Sequence, residues 1–253
     1  MRIGKVPKAP NPTYTALELR LFVLMKKPSD LKSLDNHSKE IYQMLVNILL
    51  GYYLIFLIVL AAGLSKRFGR NKLLEKIDDS TIIERVVKSA VASKADEIIV
   101  ILGHEAQMIK NALKDVKCRF IYNENYEIGQ SSSVKVGVNS VMDHAEAILV
   151  LPGDVALISP EAINMVIEEY IKSRHLIVVA SHRGKLGHPI LFDRSLFSQI
   201  MSINEETMGL KSVVNANRGL IRKVETGSDE ILIDFDTEKD FKRYFSTKGT
   251  EDQ

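Results

Sequence analysis

Ile58-Val-Leu-Ala-Ala-Gly-Leu-Ser-Lys-Arg-Phe-Gly-Arg-Asn-Lys72 is an apolar run that ends in very small residues and then turns cationic. The side chains of Ala61, Ala62 and Gly63 are small enough for backbone amides behind a strand to approach a ligand closely. Ser65, Lys66, Arg67, Arg70 and Lys72 follow directly. Small residues followed by cations make an anion site. The stretch lacks the Gly-x-x-x-x-Gly-Lys-Ser/Thr of a Walker loop and the Gly-x-Gly-x-x-Gly of a dinucleotide turn. A solvated basic turn would account for the charges, but not for the small residues placed directly behind a buried strand.

Upstream, residues 41 to 65 carry no charge at all, a length that on paper would cross a bilayer, for which about 20 apolar residues suffice. Within that run Ile41, Met44, Leu45, Ile48, Leu49 and Tyr52 share one helical face, with Gln43, Asn47 and Gly51 off it. An amphipathic helix stopped near Gly51, followed by a separate strand over Leu54–Ala62, fits better than one span. Neither a membrane span nor a secretory signal is expected, since the apolar segment begins too far from the N-terminus for the latter. Before it, residues 1–40 hold four prolines, Pro7, Pro10, Pro12 and Pro28, and no chemical motif. The expected organisation is a partly helical appendage over 1–53, a main domain over 54–246 and a tail over 247–253.

Downstream, apolar runs alternate with helix-period segments. Strands are expected at Leu54–Ala62, Glu97–Leu102, Arg119–Tyr122, Ala147–Leu151 and Leu176–Ser181, with weaker ones at Ile190–Phe192, Leu220–Glu225 and Glu230–Ile233. Thr81-Ile-Ile-Glu84 is a capping box. Ser159-Pro160-Glu161 orders a capping hydroxyl, a first-turn proline and a dipole-matched acid. Thr237 opens the last helix. Such alternation defines the α/β class, with a doubly wound, mainly parallel sheet. Ligands bind such sheets beyond the carboxyl ends of the strands, which is where chemistry is to be sought.

Composition narrows the partners. Lysine and arginine total 34 against 32 acidic residues, too even a balance for a nucleic-acid footprint. One cysteine, Cys118, allows no intrachain disulfide and suits a reducing cytosol, so a cytoplasmic location is expected. Its apolar neighbours mark it as a small core residue.

Behind the strand at 147–151 stands Pro152-Gly153-Asp154, whose lone carboxylate is a hard-oxygen ligand suited to Mg²⁺. Asp234 and Asp236, spaced to share a face of an extended segment, could bring a second carboxylate to the same ion. Gly129-Gln-Ser-Ser-Ser133 offers hydroxyls and amides to a base or sugar, Ser131 and Ser132 among them, or simply caps a helix. Gly187-His188-Pro189 lies between the basic turn at 182–185 and a strand.

Taken together, these residues resemble the MobA-like nucleotidyltransferase superfamily, and within it most nearly the molybdenum cofactor cytidylyltransferases. The resemblance runs from about Ile58 to Phe241. It is carried by Leu60-Ala-Ala-Gly-Leu-Ser-Lys-Arg-Phe-Gly69 with Lys72, Asn123 with Gly129–Ser132, Gly153-Asp154, Gly187-His-Pro-Ile-Leu-Phe192, and Asp234-Phe-Asp-Thr237. It implies a Rossmann-like nucleotidyltransferase fold with a small antiparallel extension on the substrate side. Leu60, Ala61, Ala62 and Gly63, with Ser65, Ser131, Ser132 and Gly153, would contact the nucleotide. Arg67 and Lys72 would bind the triphosphate and act in catalysis with Asp154. Asp154 and Asp236 would hold Mg²⁺, and Gly187, His188 and Pro189 would meet the second substrate. The reaction implied is transfer of a nucleotide monophosphate, CMP from CTP, to the phosphate of a molybdopterin-type acceptor, with transient contact to a molybdoenzyme. A sugar- or polyol-phosphate nucleotidyltransferase is the alternative within enzymes, and a non-catalytic nucleotide-binding accessory protein the alternative outside them. The run Val155-Ala-Leu157 and Thr237-Glu-Lys-Asp240 depart from the family pattern, as does the segment from Asn204 to Asn215.

Overall fold

The computed structural model describes residues 54–235, 237–239, 241, 242 and 244. The helix expected over 41–52, the appendage to which it belongs, the 247–253 tail and Asp236 lie outside these residues. The chain divides into two units between residues 53 and 54. The second unit carries the sheet.

Strand β1, Ile55–Ala61, is buried along its whole length. Its odd-numbered residues from Ile55 to Ala61 pack into one core, and Phe56, Ile58 and Leu60 pack into another on the opposite face. A strand covered on both faces needs a continuous apolar run and not an alternating one. After it come a two-stranded antiparallel ribbon, β2 (Lys76–Ile77) with β3 (Ser80–Thr81), and helix α1, Ile82–Val91. The Thr81 hydroxyl accepts from the Glu84 amide at 3.3 Å, and the Glu84 carboxylate accepts from the Thr81 amide at 3.4 Å. The chain continues through β4 (Glu97–Leu102), α2 (Ala106–Ala112), β5 (Arg119–Tyr122), α3 (Gln130–Asn139), β6 (Ala147–Pro152) and α4 (Pro160–Ser173). Next are β7 (Ile177–His182), β8 (Lys185–Asp193), α5 (Phe197–Met201), α6 (Leu210–Ala216) and β9 (Ile221–Glu225).

Seven strands form one sheet in the order β5-β4-β1-β6-β8-β7-β9. Every pairing is parallel except those of β8 with β6 and with β7. The fold is therefore the doubly wound, mainly parallel α/β sheet expected. Helices α1, α2 and α4 supply one core, and α3, α5 and α6 the other. The outer strands β5 and β9 are partly exposed and carry Arg119, Arg222, Lys223 and Glu225, charges that keep a free edge from pairing with another chain.

Two expectations are corrected. Glu230–Ile233 is not a strand; Asp229–Leu232 is a 3₁₀ turn, begun by the Ser228 hydroxyl accepting from the Glu230 amide. It drives Ile231 wholly into the core. Gly187-His188-Pro189 is not a loop before a strand but lies inside β8, which starts at Lys185. Arg183 and Gly184, with φ of 48° and 81°, form the tight turn between β7 and β8. Two left-handed residues in succession are what a two-residue hairpin requires. No helix among the described residues is long and apolar enough to cross a membrane.

Cys118 is half-buried and packs against the first core. Burial pushes its thiol up to about 11. At that value it is an inert packing residue, as expected for a cysteine away from any activating charge.

Candidate active site

The order of strands reverses at β1: β4 and β5 lie to one side of it and β6 to the other. The loops leaving the carboxyl ends of β1 and β6 part there and leave a crevice. The two ends are stitched by the Gly153 amide, which donates to the Leu60 carbonyl at 2.9 Å. Into this crevice opens a cavity of about 420 Å³, within the size range of small-molecule sites. Leu60, Ala62, Gly63, Ser65, Arg67 and Lys72 line one wall, Gly153 and Asp154 the floor, and Tyr126, Gly129, Gln130 and Ser133 the facing wall. Ala61 is buried in β1 and stays behind the lining.

The loop after β1 is wound on itself. Ser65 takes a left-handed conformation at φ 49°, and its carbonyl accepts from the amides of Phe68 and Gly69. Its hydroxyl accepts from the Lys72 amide at 3.3 Å, and Asn71 caps the short turn Lys72–Leu74. Lys72 is thereby aimed across the crevice, where Nζ lies 2.5 Å from Asp154 Oδ2. Both side chains are only 15% exposed, so each charge depends on the other in a site shielded from water.

Arg70 was counted among the anion-binding cations, but it faces elsewhere. Its guanidinium forks onto Glu75 at 2.5 and 2.8 Å, reaches Glu238 at 3.3 Å, and lies over the Phe68 ring. Phe68 itself is buried and meets Phe241 edge to face. The loop is therefore anchored at its back to the segment that follows Phe235, while Lys66, Arg67 and Lys72 face the cleft.

Ser131 and Ser132 do not line the cavity; both are buried. Ser131 gives its amide and hydroxyl to Glu205 Oε1. Ser132 receives a hydrogen bond from Asn123 Nδ2 at 2.8 Å and lies within reach of the Asn125 and Gly129 carbonyls. A run of three serines entering a helix must point in three directions, and only Ser133 reaches the cleft. Gln130, Tyr126 and Glu205 carried no separate signal in the sequence. Gln130 lies within the quoted serine loop, and Glu205 within the segment from Asn204 to Asn215 that departs from the family pattern.

Gly187, His188 and Pro189 also stand outside the lining. Gly187 is a packing residue, since a Cβ there would lie 2.4 Å from the Ile231 carbonyl oxygen. Gly187→Ala should destabilise the fold by about 1–3 kcal/mol, read as a lower thermal midpoint with unchanged nucleotide affinity. His188 is different. Its Nδ1 is buried with no protein partner. Burial holds its pKa below the ordinary histidine value, with the Asp154 charge pulling the other way. The buried imidazole of β8 is thus biased toward its neutral form while feeling the Asp154 charge.

No cluster of three or more His, Cys, Asp or Glu suited to a metal occurs among the described residues. Magnesium takes one or two carboxylates and fills its shell with water and phosphate oxygens. Asp154, one carboxylate in a cleft lined by Lys66, Arg67 and Lys72, fits that habit. Asp236, the second expected ligand, lies outside the described residues.

Comparison with known proteins agrees with this geometry. The model of the MobA-like NTP transferase domain matches residues 57–222. The fold is similar to that of Rv0371c from Mycobacterium tuberculosis H37Rv, with 26% identity and a TM-score of 0.67, covering 76% of this chain and 96% of that one. A crystal structure of Rv0371C from the same organism in complex with manganese is also similar, at 23% identity and a TM-score of 0.62, covering 75% and 96%. Among curated proteins, bifunctional protein GlmU of Staphylococcus carnosus (strain TM300) is 33% identical over 117 residues, which is 46% of this chain and 25% of that protein. The chain spans between 25% and 40% of the length of the first curated relatives it matches.

Proposed function

The chain belongs to the MobA-like NTP transferase domain family, and from that premise we propose that it transfers the nucleoside monophosphate unit of a nucleoside triphosphate to a phosphate monoester, releasing pyrophosphate. CTP is the favoured donor, and a molybdopterin-type phosphate the favoured acceptor. The observation that carries the reading is the pairing of Lys72 with Asp154 at the floor of the crevice, facing the small-residue wall of Ala62 and Gly63.

The acceptor phosphate attacks the α-phosphorus, and the bond to pyrophosphate breaks. With a second pKa near ~6, a phosphate monoester is already mostly dianionic at neutral pH, so no strong base is required. Catalysis then reduces to holding the two phosphates in line and neutralising charge as it develops. The open backbone at Ala62 and Gly63 lets the nucleotide lie against β1. Arg67 and Lys72 take the triphosphate, and Lys72 leaves Asp154 to do so. A divalent ion, Mg²⁺ in this proposal, would be held by Asp154 and would supply positive charge against the negative charge that develops during transfer. Asp236 is proposed as its second carboxylate. His188, buried behind the cleft and within the field of the Asp154 charge, is proposed to act on the acceptor side only through the β8 backbone it helps to fix.

A thermal-shift panel of CTP, GTP, UTP and ATP, each with and without Mg²⁺, tests the donor. At about 100 times its dissociation constant the true donor should stabilise the protein by roughly 2.7 kcal/mol, and no shift with any of the four would refute the reading. Pyrophosphate release with molybdopterin, sugar 1-phosphates and polyol phosphates in turn identifies the acceptor. Stabilisation by a nucleotide without turnover on any acceptor would favour the accessory-protein alternative, with its contact to a molybdoenzyme.

A further inference from the structure

Glu205 lies in the turn between α5 and α6, yet it reaches back 74 residues to the start of α3. Its Oε1 accepts from the Ser131 amide at 2.7 Å and from the Ser131 hydroxyl at 2.6 Å. The turn that presents it is closed by its own hydrogen bonds. Asn204 Oδ1 accepts from the Thr207 amide at 2.8 Å, and the Asn204 carbonyl accepts from the Gly209 amide at 2.9 Å. Helix α3 has no side-chain cap from its preceding residue, Gly129. The Glu205 carboxylate therefore meets an otherwise uncapped first turn, where negative charge is favoured by the helix dipole.

Gly129 is where the two segments touch. Its φ is 135°, a conformation that side chains rarely adopt, and a Cβ there would fall 2.4 Å from Glu205 Cδ. The same Gly129 and its neighbour Gln130 face the cleft on their other side. A second cavity of about 260 Å³, between α3 and the 205–211 segment, shares Gln130 with the first. Glu205 thus stands directly behind the wall opposite Lys72 without entering the cleft.

We propose that Glu205 is a positioning residue for the nucleotide: by fixing the first turn of α3 it sets where Gly129 and Gln130 meet the bound substrate. The proposal rests on the nucleotidyltransferase reading of the cleft. It implies that the acidic turn and the serine run act as one unit on the nucleotide.

Three variants test it: Glu205→Ala, Glu205→Gln and Glu206→Ala, the last changing an exposed neighbour in the same turn. Affinity is measured by calorimetry with the magnesium complex of whichever triphosphate stabilises the wild type most. Hydrogen exchange is followed over residues 126–139. Glu205→Ala should weaken binding about tenfold, the equivalent of one lost charged hydrogen bond of about 1.4 kcal/mol, and speed exchange in 126–139 alone. Glu205→Gln keeps an oxygen able to accept both bonds and loses only the charge, so it should weaken binding about threefold. Glu206→Ala should match the wild type in both readouts. Equal affinity for Glu205→Ala and wild type would overturn the proposal, as would a Glu205→Ala loss accompanied by faster exchange throughout the sheet. If the wild type binds no triphosphate, the cleft reading fails and takes the proposal with it. Faster exchange over 126–139 would then still register the tether as a purely structural one.

Discussion

Asp154→Asn is expected to slow pyrophosphate release by about 10²–10³-fold, the range found when one group aimed at developing charge is removed. Asparagine has nearly the same shape and keeps a neutral oxygen at the end of β6, so packing around Gly153 and Leu60 is preserved. What it removes is the negative charge, which serves twice. It is the carboxylate that would hold the divalent ion, and it is the partner 2.5 Å from Lys72. The thermal midpoint should fall as well, because Lys72, only 15% exposed, loses the charge that offset its desolvation. Turnover near the wild-type rate would remove Asp154 from the mechanism and leave the β6 loop with a purely structural part.

Lys72→Met is expected to lower kcat/KM by about 10²-fold, with the loss concentrated on triphosphate. Methionine keeps the apolar stem of lysine and so keeps the contacts of the short turn that starts at residue 72. It deletes only the ammonium. Calorimetry should show the affinity for a nucleoside triphosphate falling by much more than that for the corresponding monophosphate, since the lysine is proposed to bind the triphosphate chain. An equal loss for both would place Lys72 at the sugar or base instead. Because Lys72 and Asp154 touch, the double variant should lose less than the sum of the two single losses. Strict additivity would argue that the resting ion pair has no part in the reaction.

The elements that the sequence made legible are those in which local and tertiary demands agree. Glu97–Leu102 and Arg119–Tyr122 appear at the limits expected, because apolar runs bounded by polar residues leave little choice of register. Thr81 and Ser159 mark helix starts, because their hydroxyls act over three residues of chain. Ala62, Gly63 and Asp154 stand out as candidate site residues because each comes within two residues of the end of a buried strand, and Lys72 because it closes the cationic run behind the first of these strands. What escaped was long-range. The β8 strand hides behind Gly187 and Pro189, residues that weaken a strand pattern, and it holds only because β6 and β7 grip it from both sides. Ser131 looks equivalent to Ser133 in sequence, and its difference arises from Glu205, a partner 74 residues away that no local window contains. Arg70 looks like its neighbours Lys66 and Arg67 in sequence, but Glu75 holds it from close by and Glu238 reaches it from 168 residues away.

The placement of β8 also bears on how the chain emerges during synthesis. Residues 55 to 152 can complete β5-β4-β1-β6 as a parallel half-sheet, but one flank of β6 then has no neighbour. That flank belongs to a strand whose first five residues are all buried in the finished fold. Its cover arrives only when β8 has left the ribosome, about forty residues later, because β7, though made first, takes the outer position. In that interval an apolar ladder stands open to any other nascent chain. Lengthening α4 or the loops beside it would therefore be felt first as a lower yield of soluble protein.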